Sequence, residues 1–228
     1  MKYGSALILL GIAQIGLTAR AGNLLWLLGW SGISWIVAGC GYAFLGARVF
    51  GKRADGRLTG WLVFLLLPFF VMTWLLWHLQ IAVSRERRAV EVVPGLWLGR
   101  RCYGHEMPEG IGMVVDLTAE FAETSAVRNR RRYHCMPTLD ALVPSRQAFE
   151  ATIKAIGASD EPVYVHCALG HGRSAMVVVA ALLDRGQAAS LEDAVQKVKQ
   201  ARPGMEINRV QRTFLQQWWT SREASGSD

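Results

Sequence analysis

Residues 166–174 read His-Cys-Ala-Leu-Gly-His-Gly-Arg-Ser, and their types and spacing can capture a phosphate and attack it. Cys167 stands six positions before Arg173, Gly170 and Gly172 lie between them, and Ser174 follows. Upstream, Pro162–Val165 is a short β-branched and aromatic run of the kind that forms a buried strand. Downstream, residues 174–185 read as a mostly buried helix closed by Gly186 as a C-cap. The expected local structure is a strand, a tight glycine-bearing loop and the start of a helix. Such a loop aims unpaired backbone N–H groups at one point, and the helix dipole adds positive potential there. In that reading the backbone of Ala168, Leu169, Gly170, His171 and Gly172 lines the cradle. Arg173 closes it with a planar fork suited to two phosphate oxygens. The same field favours sulfur as a charged nucleophile, so Cys167 can attack phosphorus. Ser174 can donate to the sulfur when the bond to phosphorus breaks, and His166 is expected to order the loop through bonds to backbone. The competing reading of Cys167 is a small buried hydrophobe.

The stretch resembles the signature of the cysteine-dependent protein phosphatases, within them the dual-specificity group, whose motif is His-Cys-x-x-Gly-x-x-Arg-Ser. Two other segments agree. Val93-Pro94-Gly95-Leu96-Trp97-Leu98-Gly99 resembles the opening strand of that domain, and Val114–Thr118 its second strand. The resemblance covers about residues 90–220. It implies an α/β domain with a central mixed sheet flanked by helices, a phosphocysteine intermediate, and no cofactor or metal.

Thiolate attack needs an acid for the leaving oxygen and later a base for water, and one carboxyl group can serve both steps. The resemblance implies an Asp some thirty residues before the Cys. Asp140 lies 27 residues before Cys167, in Met136–Ser145, a segment read as a loop between a strand at Tyr133–Cys135 and a helix from Ser145. An ordinary turn-forming aspartate is the alternative. Asp116, Glu120 and Glu123 compete for the role, although Asp116, in an apolar strand, suits a structural hydrogen bond better. The remaining expected helices are 145–159, 190–201 with Ser190 as N-cap and Asp193 at the capping-box position, and 208–220 with Trp218 and Trp219 in the core.

Residues 1–83 have a different character. Three uncharged apolar stretches, 3–19, 21–47 and 58–83, are candidate transmembrane helices, the second and third 27 and 26 residues long where about 20 cross a bilayer. Six of the nine Trp precede residue 78, several near the stretch ends where aromatic belts sit. Ala19-Arg20-Ala21 has some likeness to a cleavage site, but an Arg beside the cut speaks against processing. The expected domains are thus a membrane region at 1–83 and a catalytic domain at 84–228.

The chain has 25 basic and 18 acidic residues, a net +7, of which residues 1–83 carry +5 and the remainder +2. Arg48, Lys52, Arg53 and Arg57 form one juxtamembrane group and Arg85, Arg87 and Arg88 another. This pattern favours anionic lipid headgroups as neighbours over nucleic acid. Arg128, Arg130, Arg131 and Arg132 form a further cluster, read as a solvated face. Positive charge flanks both sides of the spans, so charge does not orient them. A working thiolate persists in a reducing compartment, which places the catalytic domain on the cytosolic side. The four Cys have no disulfide spacing, and Cys135 is a candidate for a reversible disulfide with Cys167.

The expected partners are a bilayer and either a phosphorylated protein or a phospholipid headgroup as substrate. Pro137-Thr138-Leu139-Asp140 resembles the corresponding loop of mitochondrial-type phosphatidylglycerophosphate phosphatases. Phosphoinositide phosphatases often carry Lys after the Cys, where this chain has Ala168, Leu169 and His171. A catalytically inactive phosphate-binding module at the membrane is the alternative from another class.

Overall fold

The computed structural model describes residues 2–21 and 26–225. They divide into two compact units, Met1–Ser84 with Ala119–Ala122, and Arg85–Thr118 with Glu123–Asp228.

In the first unit the apolar stretches form α1 (Lys2–Ala21), α2 (Trp26–Cys40) and α3 (Gly60–Val83). The helices are long and apolar enough to cross a membrane over Tyr3–Arg20, Trp26–Leu45 and Gly60–Val83. The second span expected from sequence, 21–47, needs correction at both ends. Ala21 belongs to α1, and residues 22–25 lie outside the described residues. At the other end α2 continues as a π-helical turn, Gly41–Leu45, which stops where Gly46 takes a φ of 74°. A 3-10 turn, Ala47–Phe50, follows.

Small residues let these helices approach closely. A Cβ on Gly11 would collide with the Gly32 carbonyl, and one on Gly32 would lie 2.7 Å from the Gly11 carbonyl. In lipid, where helices have no hydrophobic drive to associate, such close backbone contact would be a main source of association. Pro68, within α3, has no N–H and its ring disturbs the preceding turn. The next amide, Phe69 N–H, donates to the buried Ser34 Oγ of α2 at 3.2 Å. A polar group that a membrane would leave unmatched is thereby satisfied by a neighbouring helix.

The second unit carries a five-stranded mixed sheet. Its strands are β1 (Ala89–Val93), β2 (Leu96–Arg100), β3 (Met113–Thr118), β4 (Arg132–Thr138) and β5 (Val163–Cys167), ordered β1-β2-β5-β3-β4. Only β1 and β2 pair antiparallel. The expected opening strand 93–99 is instead a hairpin: Pro94-Gly95 turns the chain, with Gly95 at a φ of 78°. Met113, Val115, Leu117, Val163, Val165 and Cys167 point to one face. That face is covered by α5 (Arg146–Gly157), α6 (Arg173–Asp184), α7 (Leu191–Ala201) and α8 (Arg209–Ser225). The run Val177–Leu183 makes α6 apolar all round, and it is buried from Arg173 to Leu183. Trp218 is buried in the same core, with Trp219 packed against it. On the opposite face Val114 and Tyr164 meet Cys102, Met107, Ile111 and Val127, the last from the short α4 (Ser125–Arg128).

The caps form as the residue types dictate. Ser145 Oγ accepts from Ala148 N–H, and Ser190 Oγ from Asp193 N–H. The carboxylate of Asp193 reaches back one residue further than a capping box requires, to Ala189 N–H. The arginine cluster does more than face solvent. Arg128 and Arg131 donate to the carbonyls of Glu123 and Ile111, and Arg132 to that of Ala155.

Candidate active site

The central strand β5 is buried throughout and ends at Cys167, from which the loop 168–172 turns into the N-terminus of α6. Cys167 Sγ receives Gly170 N–H at 3.2 Å and lies 3.2 Å from Ser174 Oγ. Gly170 has a φ of 77° because the loop doubles back against β2. A Cβ there would stand 2.5 Å from both C and O of Gly99. Arg173, the first residue of α6, is 1% exposed and donates from Nη1 to the Thr138 carbonyl at 2.8 Å. Its Nε lies 3.3 Å from Asp140 Oδ1, an ion-pair distance without hydrogen-bond alignment. The Asp140 side chain is 71% exposed. The structure therefore brings together Cys167, Gly170 and Ser174 on one side, and Arg173 and Asp140 on the other, through one shared loop.

The remaining loop residues act through backbone or turn away. Ala168 offers its carbonyl to Arg101 N–H and Leu169 its carbonyl to Arg202. The His171 ring bonds Glu86 at 2.6 Å. Gly172 caps α6 with its carbonyl, which accepts from Met176 N–H.

Side chains alternate along a strand, so His166 points to the face opposite Cys167. Its Nδ1 is a long 3.4 Å from the Cys167 carbonyl, and its Nε2 faces Glu123 at 3.4 Å and Asp116 at 3.9 Å. Its hydrogen bond thus runs to backbone, the Cys167 carbonyl, while Nε2 faces the two carboxylates at ion-pair distance without hydrogen-bond alignment. Asp116 accepts from Thr118 N–H, Thr118 Oγ1 and the Tyr133 hydroxyl, which is the structural role expected of it. Burial, reinforced by the Asp116 charge, pushes the Tyr133 phenol far up, so it remains a donor. Among the described residues, Asp116, Glu123 and His166 also form a group whose ligand atoms lie within 4.8 Å of one another. It lies across the sheet from the sulfur.

Cys135 is not placed to bridge to Cys167. It pairs with Asp116, which pairs with His166, so β3 stands between the two cysteines and their side chains occupy opposite faces. Two strand spacings are about 9.6 Å, beyond disulfide reach. The four cysteines are free thiols. Burial, opposed in part by the Tyr164 hydroxyl at 3.3 Å, raises the Cys102 thiol above its ordinary value.

The loop bearing Asp140 begins later than expected, because β4 runs to Thr138. Ala141 there has a φ of 61°, a conformation costly for a residue with a Cβ. Asn208 Nδ2 holds the Ala141 carbonyl at 2.9 Å, and Gln211 Nε2 holds that of Leu142 at 3.4 Å. The same two residues cap α8 reciprocally: Asn208 Oδ1 accepts from Gln211 N–H, and Gln211 Oε1 from Asn208 N–H. Reading the sequence missed this pair, although Asn-x-x-Gln before a helix is a capping signal. It also missed Arg202 and Glu86, for which no local signal exists.

The family model of the dual specificity phosphatase catalytic domain matches residues 106–220. No curated protein matches the sequence. Solved structures similar to this chain include a mouse protein assigned to the dual specificity phosphatases, complexed with zinc tungstate. It is 25% identical, covers 63% of this chain and 93% of its own, with a TM-score of 0.54. Tk-PTP in its active form is 25% identical over 57% of this chain and 95% of its own, at 0.52. PTPMT1 in complex with PI(5)P shares the fold at 20% identity over 61% and 99%, at 0.55.

Proposed function

The chain belongs to the dual specificity phosphatase catalytic-domain family, and from that membership we propose that it is a membrane-anchored phosphomonoester phosphatase acting on a lipid phosphate. The observation that carries the reading is the Cys167 sulfur held 3.2 Å from both Gly170 N and Ser174 Oγ, on the loop that leads into the buried Arg173.

The chemistry follows from these positions. Loop amides and the Arg173 fork take the non-bridging oxygens, and Cys167 Sγ attacks phosphorus in line with the ester oxygen. The P–O bond breaks as the P–S bond forms, and the leaving oxygen takes a proton from the Asp140 carboxyl. Water then attacks the phosphocysteine and gives its proton to the Asp140 carboxylate. The P–S bond breaks with its electrons on sulfur, which accepts a hydrogen bond from Ser174 O–H. Asp140 lies beside Arg173 at 3.3 Å, so an arriving phosphate competes for the guanidinium and frees the carboxyl for the ester oxygen.

The lipid substrate is supported by the three apolar helices that precede the domain in the same chain. Tethering at a bilayer raises the effective concentration of headgroups there. PTPMT1, which shares the fold, is known in complex with a phosphoinositide. The helices are read as crossing the membrane, with the catalytic domain in the reducing cytosol, which suits its free thiols.

The test is phosphate release by the full chain in vesicles offered phosphatidylglycerophosphate, phosphoinositides and phosphotyrosine peptides, with Cys167→Ser as the blank. Preference for a lipid is expected. Preference for the peptide refutes the substrate. A folded protein that turns over none of them refutes the enzyme and leaves a phosphate-binding module.

A further inference from the structure

Glu86 sits three residues past the end of α3, alone among Arg85, Arg87 and Arg88. Its partners lie far along the chain. Glu86 Oε2 accepts from His171 Nε2 at 2.6 Å and from Arg202 Nη2 at 3.0 Å. The Arg202 side chain is 4% exposed, and its guanidinium makes two further bonds, to the Arg87 carbonyl at 2.8 Å and the Leu169 carbonyl at 2.9 Å. One buried cation thus joins the segment before β1 to the phosphate-binding loop, with Glu86 as the carboxylate paired to it. A guanidinium this buried needs a paired charge to stay in place.

We propose that Glu86 is a positioning residue for the phosphate-binding loop. Its carboxylate fixes Arg202, which holds the Leu169 carbonyl turned outward, and fixes the His171 ring at the same time. Peptide planarity couples the two sides of each link, so a Leu169 carbonyl held outward keeps the following amide, Gly170 N–H, aimed at the sulfur and the oxyanion site. Glu86 does not touch the substrate. It sets the shape in which the loop accepts phosphoryl oxygens, although Glu86 itself lies before the first strand of the sheet.

The inference rests on the phosphatase reading for its meaning, but oxyanion binding tests it without turnover. Tungstate affinity is measured by titration calorimetry on the full chain in detergent, for the wild type and Glu86→Gln, beside KM and kcat for an aryl phosphate and the melting temperature. Glu86→Gln keeps the shape and removes the charge. Tungstate binding is expected to weaken fivefold to tenfold, about one ordinary hydrogen bond. KM should rise by a similar factor, with kcat within about threefold. Tungstate affinity and KM within twofold of wild type overturn the proposal. So does a fall in melting temperature and kcat with both binding constants unchanged, since that marks a merely structural residue. A wild type that binds tungstate without turning over phosphate refutes the enzyme reading while the Glu86 comparison still stands.

Discussion

Replacing Gly170 by alanine adds one carbon where the backbone of β2 already lies. The new Cβ would stand 2.5 Å from C and O of Gly99 and 2.8 Å from Arg100 N. Ordinary contacts are about 3.5–4.0 Å, so roughly 1 Å must be found. Gly99 and Arg100 cannot supply it, because β2 is paired on one side with β1 and on the other with β5. The loop must move instead, and a φ of 77° adds about 1–2 kcal/mol for a residue with a side chain. The displaced amide is the one that donates to Cys167 Sγ. A shift of about 1 Å in reacting geometry costs on the order of a hundredfold in rate, or about 2.7 kcal/mol. Gly170→Ala should therefore lose about a hundredfold in kcat/KM on an aryl phosphate, with weaker tungstate binding. Gly172→Ala is the comparison. Its φ is −97°, and its Cβ would meet Gln211 Oε1 at 3.0 Å and the Glu206 carbonyl at 3.2 Å. Both contacts need only a few tenths of an ångström, where Gly170 needs about 1 Å, so the loss there should remain below about tenfold. The reasoning is refuted if Gly170→Ala stays within threefold of wild type, or if the two variants fall equally.

Three other outcomes are expected. Asp140→Ala should slow an alkyl phosphate by about 10²–10⁴-fold and a good aryl leaving group far less; equal losses on both would remove Asp140 as the acid. Asn208→Ala should cost about 0.5–2 kcal/mol of stability as a lost helix cap and should slow alkyl phosphates about tenfold. Tungstate affinity within twofold of wild type would separate the acid loop from the phosphate loop, and an equal loss of both would show that the two are not separately held. His134, whose ring contacts Thr152 Oγ1 at 2.9 Å, is held below its ordinary value of 6.5 by burial, with the Arg132 charge adding to the effect. A depressed histidine favours the neutral form in the fold, so its contribution is in place above pH 6.5 and is lost as pH falls through the folded value. Melting temperatures from pH 7.5 to 5 should fall less steeply for His134→Gln than for wild type, and parallel curves would contradict this.

What the sequence disclosed was whatever is contiguous along it. Strand β5, the loop and α6 follow one another without a break, so residues 163–184 could be read directly, caps included. Pro94-Gly95 lies inside an apolar run, yet that dipeptide marks a turn, and here the turn signal outweighs the β-branched neighbours. Strand alternation alone would have separated His166 from Cys167. The second span ended early because one glycine adopts a left-handed φ that hydropathy does not register. Glu86, Arg202, Asn208 and Gln211 were invisible for a different reason. Their partners lie from 33 to 116 positions away. They meet only once β5 has inserted between β2 and β3.

The double service of Asn208 and Gln211 has a consequence for the order in which this protein comes to life. Gln211 lies 44 residues after Cys167. A ribosome adding about 5–20 residues per second needs a few seconds to cover that interval. During those seconds the nascent chain possesses its thiol and its cradle-forming segment, while the strained Ala141 turn lacks the two amide side chains that later hold its carbonyls. The nucleophile is thus made well before the grip on its acid, and a growing polypeptide lacks that grip until translation has passed the start of the final helix.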